Sequence, residues 1–129
     1  MSEVQHISAT ILAAPSAVYD FVSNPANLPS WAAGVGTSGE LVSGDWISDS
    51  PMGQVSIRFA PKNEFGVADH YVTLPNGQAV LNPMRVLPNG DGSEIVFTLF
   101  RADGVDDAAY EADATAIATD FATLKKLLE

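Results

Sequence analysis

His70 and Asn82 are the residues whose types and positions best suit a chemical task. An imidazole exchanges a proton near neutral pH or holds a hydrogen bond. A carboxamide both donates and accepts. The turn between them brings the two together. In Leu74-Pro75-Asn76-Gly77-Gln78, a two-residue Asn-Gly turn would make Pro75 and Gln78 a hydrogen-bonded pair, and Pro75 has no N–H to give. A three-residue loop fits instead, with Pro75 and Asn76 right-handed and Gly77 left-handed. Leu74 then faces Gln78, Val72 faces Val80, His70 faces Asn82 and Ala68 faces Met84. Directly opposed residues share a face. This face carries Ala68, Val72, Leu74, Val80, Met84 and Val86, whereas Asp69, Tyr71, Thr73 and Arg85 fall on the other. His70 and Asn82 are thus two polar groups on the core side, and a buried polar group must find a partner.

Three readings of that pair stay open. The two side chains bond each other, a water or the backbone; they orient a ligand; or His70 acts as an acid or base, the only catalytic candidate in the chain. In the last case Asn82 would hold a developing enolate oxygen. Asp69-His70 is no dyad, because successive strand residues point to opposite faces. His6 lies opposite Ile7 and reads as a surface residue. Two distant histidines without a third give no zinc signature. The acids Asp103, Asp106, Asp107, Glu111 and Asp113 lack the spacing and central glycine of a calcium loop and read as a solvated helix start. No G-x-S-x-G, H-E-x-x-H or phosphate-binding glycine loop occurs. The sequence implies neither metal nor cofactor.

The elements that position these residues follow from periodicity. Val4 to Leu12 alternates, with Ile7, Ala9 and Ile11 on one face, and predicts a strand. Ala14-Pro15-Ser16 opens a short helix with Val18, Phe21 and Val22 as its buried stripe. Asn24-Pro25 starts a second, running to about Ala33. Gly34, Gly36 and Gly39 mark the exit. From Thr37 to Arg101 turns fall at Ser43-Gly44, Ser50 to Gly53, Pro61 to Glu64, Pro75 to Gly77 and Pro88 to Gly92, which gives six strands and seven with the first. Val55, Ile57 and Phe59 alternate on one face, as do Ile95, Phe97 and Leu99. Tyr110, Ala114, Ile117, Phe121, Leu124 and Leu128 then recur at helical spacing. Acids at the start of this helix and Lys125-Lys126 near its end complement its dipole. Its axis runs about 27 Å at roughly 1.5 Å per residue, enough to cross a sheet. Strands in one run with helices at the ends imply one α+β domain over residues 1–129.

The bulk numbers narrow the partners. The chain has 129 residues, nearly half of them apolar, with sixteen acids, six bases and a net charge of −10. Phosphate neutralisation needs clustered Lys and Arg, so a nucleic-acid partner is not expected. No apolar run reaches the length of a membrane span. The absence of cysteine excludes disulfides and thiol catalysis. Together with a start that lacks basic and apolar leader regions, it fits a cytoplasmic protein.

The element order and several segments resemble the helix-grip superfamily of START-like and birch-pollen-allergen-like proteins, with the polyketide cyclase/dehydrase-like branch the closest. The carrying pieces are Ala14-Pro15-Ser16-Ala17-Val18-Tyr19, then Asn24-Pro25-Ala26-Asn27-Leu28-Pro29-Ser30-Trp31, Gly66-Val67-Ala68-Asp69-His70-Tyr71-Val72, and Asp120-Phe121-Ala122-Thr123-Leu124-Lys125-Lys126. The resemblance implies a seven-stranded antiparallel sheet curved around the last helix, with two short helices after the first strand. It implies an internal pocket for a small hydrophobic or aromatic molecule, with Trp31 at its entrance. Some members catalyse cyclisation or dehydration, so the name of the branch does not decide between carrier and enzyme. The expected contact residues are Trp31, Phe59, His70 and Asn82, with Met84, Phe97 and Phe121. A further possibility is a non-enzymatic interaction module, for instance a homodimer built on an exposed sheet edge or on Trp46, which otherwise packs in the core.

Overall fold

The computed structural model describes residues 1–35, 38–51 and 53–129, so part of the expected exit marked by Gly34, Gly36 and Gly39 and part of the expected Ser50 to Gly53 turn lie outside the described residues. In chain order the elements are β1 (Val4–Ile11), α1 (Pro15–Val22), α2 (Leu28–Trp31), β2 (Gly39–Val42), β3 (Asp45–Ser50), β4 (Gly53–Phe59), β5 (His70–Thr73), β6 (Ala79–Asn82), β7 (Met84–Asn89), β8 (Gly92–Phe100) and α3 (Asp107–Leu128). Strand pairing is antiparallel throughout, in the orders β1-β8-β7 and β2-β3-β4-β5-β6. The architecture is the expected α+β arrangement of an antiparallel sheet with a long C-terminal helix.

Among the described residues the strands number eight in two sheets, not seven in one. The stretch from Gln78 to Leu87 reads as a single strand between two turns, but Pro83 divides it. Proline has no N–H for the ladder and interrupts a strand interior. Its carbonyl instead accepts the amide of Thr98 at 3.0 Å, which turns the chain from one sheet into the other. The sheets meet again at a seam. There Val67 bridges to Arg85, Ala68 donates to the Met84 carbonyl at 2.8 Å, and Val86 donates to the Gly66 carbonyl at 2.9 Å. Gly66 has a φ of +72°, and a Cβ there would lie 2.2 Å from the Val86 carbonyl oxygen. Only glycine fits so close an approach.

The second short helix is broken as well. Asn24 caps a 3-10 turn over Pro25–Asn27 by accepting the Ala26 amide at 3.1 Å. The single-turn α2 follows, then a second 3-10 turn over Ala33–Val35. Pro29 explains the break, since its ring and missing N–H prevent one helix from running on from Pro25. In α1, Val18 and Val22 are buried as the stripe requires, Phe21 is half-buried, and Tyr19 joins the core. Pro61 to Glu64, expected as a tight turn, belongs to a longer connection from β4 to β5. It is held by Asn63, whose Oδ1 accepts the amides of Phe65 and Val67 while its own amide donates to the Tyr19 hydroxyl at 3.0 Å.

α3 keeps its expected stripe. Tyr110, Phe121 and Leu124 are buried, and Ala114, Ile117 and Leu128 are half-buried. Asp106 caps it by accepting the Ala109 amide at 2.8 Å. The helix lies along β1 and meets β8. Its end is tied down where Lys125 donates to the Thr10 carbonyl at 3.1 Å and Glu129 accepts the Leu12 amide at 2.8 Å. Among the described residues no helix is long and apolar enough to cross a membrane.

Candidate functional site

Between α3, the α2 segment and the inner face of the sheets lies a cavity of about 260 Å³. The strands contribute Ile57, His70, Val72, Asn82, Phe97 and Leu99 to its wall. Leu28, Trp31 and Val35 close it on the α2 side. Helix α3 presents Asp113, Ala116, Ile117, Asp120 and Phe121, a set at helical spacing that forms one face. The wall is mainly apolar, with a few polar groups set into it, as is usual for small-molecule sites.

The β5–β6 register pairs His70 with Asn82 and Val72 with Val80, as the turn chemistry requires. Gly77 is left-handed at φ +87°, and Leu74 donates to the Gln78 carbonyl at 2.8 Å. Facing each other does not make His70 and Asn82 partners. His70 Nδ1 lies 3.1 Å from the Ala68 carbonyl oxygen. A carbonyl only accepts, so Nδ1 carries the proton, and in the neutral ring Nε2 is left as an acceptor. Neither Nε2 nor the Asn82 carboxamide has a hydrogen-bond partner among the described residues. The ring is wedged between Phe59, with centroids 4.9 Å apart, and Phe97, at 6.2 Å. Burial pushes the imidazole below its usual range, against the weaker upward pull of the Ala68 carbonyl and the Asp69 charge. His70 is therefore a neutral, buried acceptor opening on the cavity.

Trp31, His70, Asn82, Phe97 and Phe121 all line this space. Phe59 and Met84, grouped with them on sequence grounds, do not. Phe59 lies against the His70 ring, and Met84 is fully buried beside Pro83 where the strands change sheets. Alternation identifies the inner face but not the depth at which the helix covers it. Most of the apolar lining lies outside that expected set, and so do two ionisable residues, Asp113 and Asp120. Asp113 reads in sequence as part of a solvated helix start, and Asp120 enters only within the family-like segment that begins with it. The signal for both is their placement beside Ile117, four residues before and three after. Asp120 accepts the Ala33 amide at 3.2 Å, and burial raises its carboxyl above the ordinary range despite that bond.

The remaining candidates lie elsewhere. Asp69 points to the outer face, where Arg85 grips it through two hydrogen bonds of 2.9 Å and the Met84 amide adds a third, also 2.9 Å. The guanidinium holds that carboxyl below its usual range. His6 is exposed beside the Thr98 hydroxyl, 3.1 Å away. Trp46 is buried in the core over Gly39, with its Nε1 unpartnered among the described residues, as is Nε1 of Trp31. Among the described residues no three His, Cys, Asp or Glu side chains gather as a metal site.

No protein-family profile matches the chain, and no curated protein sequence does. Solved structures do. The Aha1 dimer from Colwellia psychrerythraea superposes with a TM-score of 0.78 at 14% identity, covering 98% of this chain and 96% of that one. XoxI from Bacillus cereus gives 0.77 at 16% identity, covering 99% and 96%. Ara h 8.0201, a protein of the birch-pollen-allergen type, gives 0.71 at 13% identity, covering 99% and 98%. Likeness at such identities defines the fold, and the fold is the helix grip that the sequence resembles.

Proposed function

We propose that the cavity holds a small, largely apolar molecule, oriented by His70 and Asn82 and contacted by Trp31, Phe97 and Phe121. The observation that carries this reading is the buried imidazole with its Nε2 unpartnered at an apolar wall. Nε2 accepts a hydrogen bond from whatever occupies the cavity, and a ligand can bring the donor. Phe59 and Met84 then act behind the wall, Phe59 by fixing the imidazole ring. We assign no reaction to the site. The other ionisable groups lining it, Asp113 and Asp120, both come from α3, whereas His70 comes from β5. The acidic, cysteine-free composition suits a carrier working in the cytoplasm.

Mass spectrometry of the purified protein, followed by thermal shift with the compounds recovered, tests the proposal. A ligand at ten times its Kd stabilises by about 1.4 kcal/mol, a rise in Tm of roughly 3–7 °C. Ala116→Trp, which places a bulky side chain over the opening, should abolish that rise. A rise that survives Ala116→Trp would move the binding site elsewhere.

A second reading, self-association, rests on β2. Every residue of this edge strand is exposed, and Leu41 and Val42 are 60% and 47% accessible. Unpaired edges invite pairing with another copy. Light scattering decides it: a dimer that Leu41→Lys converts to monomer supports β2 as the contact, and a monomeric wild type removes the reading.

A further inference from the structure

We infer that the cavity selects a ligand carrying a protonated amine on a one- or two-ring apolar body, and discriminates against carboxylates. The inference rests on the cavity being a binding site, and it concerns which molecules that site admits.

The charge arrangement carries it. The chain has six Lys and Arg residues. Five of them are engaged in ion pairs: Arg58 with Asp45, Lys62 with Asp20, Arg85 with Asp69, Arg101 with Glu3 and Asp107, and Lys125 with Glu129. None of the six lines the cavity. Two carboxylates do, and neither Asp113 nor Asp120 has a cationic partner among the described residues. They lie seven residues apart on α3, about 10 Å along the axis at roughly 1.5 Å per residue. The methyl group of Ala116 lies between them in sequence, and with Asp113 and Ala116 exposed and Asp120 half-buried the three stand on the solvent side of the space. The Ala33 amide engages Oδ1 of Asp120.

The inner end repeats the preference independently. His70 is 92% buried, its Nδ1–H is engaged by Ala68, and it turns an acceptor toward the space. A carboxylate there would set its lone pairs against that of Nε2 and meet no cation at the mouth. An ammonium or hydroxyl donates to Nε2, and an ammonium at the mouth meets carboxylates that have no cationic partner among the described residues. The volume of about 260 Å³ lies just below the ~300 Å³ at which drug-sized sites begin, so the apolar body is small.

The test uses the full chain and three compounds that share one two-ring body: naphthylethylammonium, naphthylethanol and naphthylacetate. Their affinities are measured by calorimetry at low salt, with amide shifts locating the site. The ammonium should bind at least about tenfold more tightly than the carboxylate, the size expected for two partly screened charge contacts. In Asp113→Asn/Asp120→Asn that ratio should fall to within about twofold. Asparagine still offers the Ala33 amide an acceptor, and if the double variant fails to fold, Asp113→Asn alone should at least halve the ratio. Asp103→Asn makes a charge change at an exposed acid outside the cavity and should leave the ratio as it is. If the alcohol binds but ammonium and carboxylate bind equally, or Asp103→Asn lowers the ratio as much as the double variant does, the selectivity is refuted while the binding site stands. If none of the three binds, the binding site itself fails and the selectivity with it.

Discussion

The three-stranded and five-stranded sheets meet different treatment beneath the same helix. α3 lies along β1 and meets β8, and on that side Ile11, Ile95 and Leu124 are wholly sealed from solvent. Opposite β4, β5 and β6, and where Phe97 and Leu99 of β8 run beside them, Ile57, Val72 and Asn82 open on a cavity. Side-chain length accounts for the difference. Toward its C-terminal end α3 packs with Leu124 and Leu128, whereas one, two and three turns before Leu124 it offers Asp120, Ala116 and Asp113 alongside Ile117 and Phe121. The cavity is a place where a continuous helix carries short or charged side chains over an apolar sheet. No element is missing there.

Breaking the seam between the sheets should have the largest effect. Gly66→Ala forces a Cβ onto the Val86 carbonyl at a left-handed position, and we expect a loss of at least about 2 kcal/mol in urea denaturation. A loss under about 0.5 kcal/mol would show that the sheets do not depend on this join. Next comes the contrast itself. Leu124→Ala, under the covered half, should cost about 2–5 kcal/mol, because it opens a void in close packing. Val72→Ala should cost only about 1 kcal/mol, since its side chain already borders a space. Equal losses would mean that the two halves are packed alike.

The smallest effect is a pH dependence confined to the cavity side. The folded chain keeps His70 neutral at pH values where the unfolded chain protonates it. The unfolded state then binds the extra proton, so stability rises with pH across that window. It is complete above about pH 6.5 and declines as pH falls toward the depressed folded value. Between pH 7.5 and 5.5 the wild type should lose about 1 kcal/mol more than His70→Gln. Identical slopes would mean that the imidazole titrates normally.

What the sequence discloses follows from which forces are local. The α3 stripe and the Pro75–Gly77 turn are legible because helical period and a left-handed glycine are properties of a few adjacent residues. The pairing of His70 with Asn82 follows from that turn by counting. The division at Pro83 is less legible, because Gln78 to Leu87 alternates without interruption and only one missing N–H reveals the change of sheet. The role of Tyr19 as an acceptor for Asn63 is set by residues more than forty positions away. The cavity wall is least legible of all. Whether Asp120 faces solvent or a pocket depends on how α2 lies against α3, and nothing near Asp120 in the chain records that.

The pairing of β1 with β8 has a consequence for how the chain reaches this structure. Val4 pairs with Phe100 and Ile11 with Ser93, so the first strand finds its neighbour only after most of the sequence is available. Contacts so distant in sequence slow folding, because a long loop must close before they form. During synthesis β2 to β6, each pairing with the next strand in line, can assemble while β1 waits with Ile7, Ala9 and Ile11 uncovered. Closure by β8, and then by α3 across β1, is the late event. Until it happens, the apolar face of β1 lacks the cover that β8 and α3 give it.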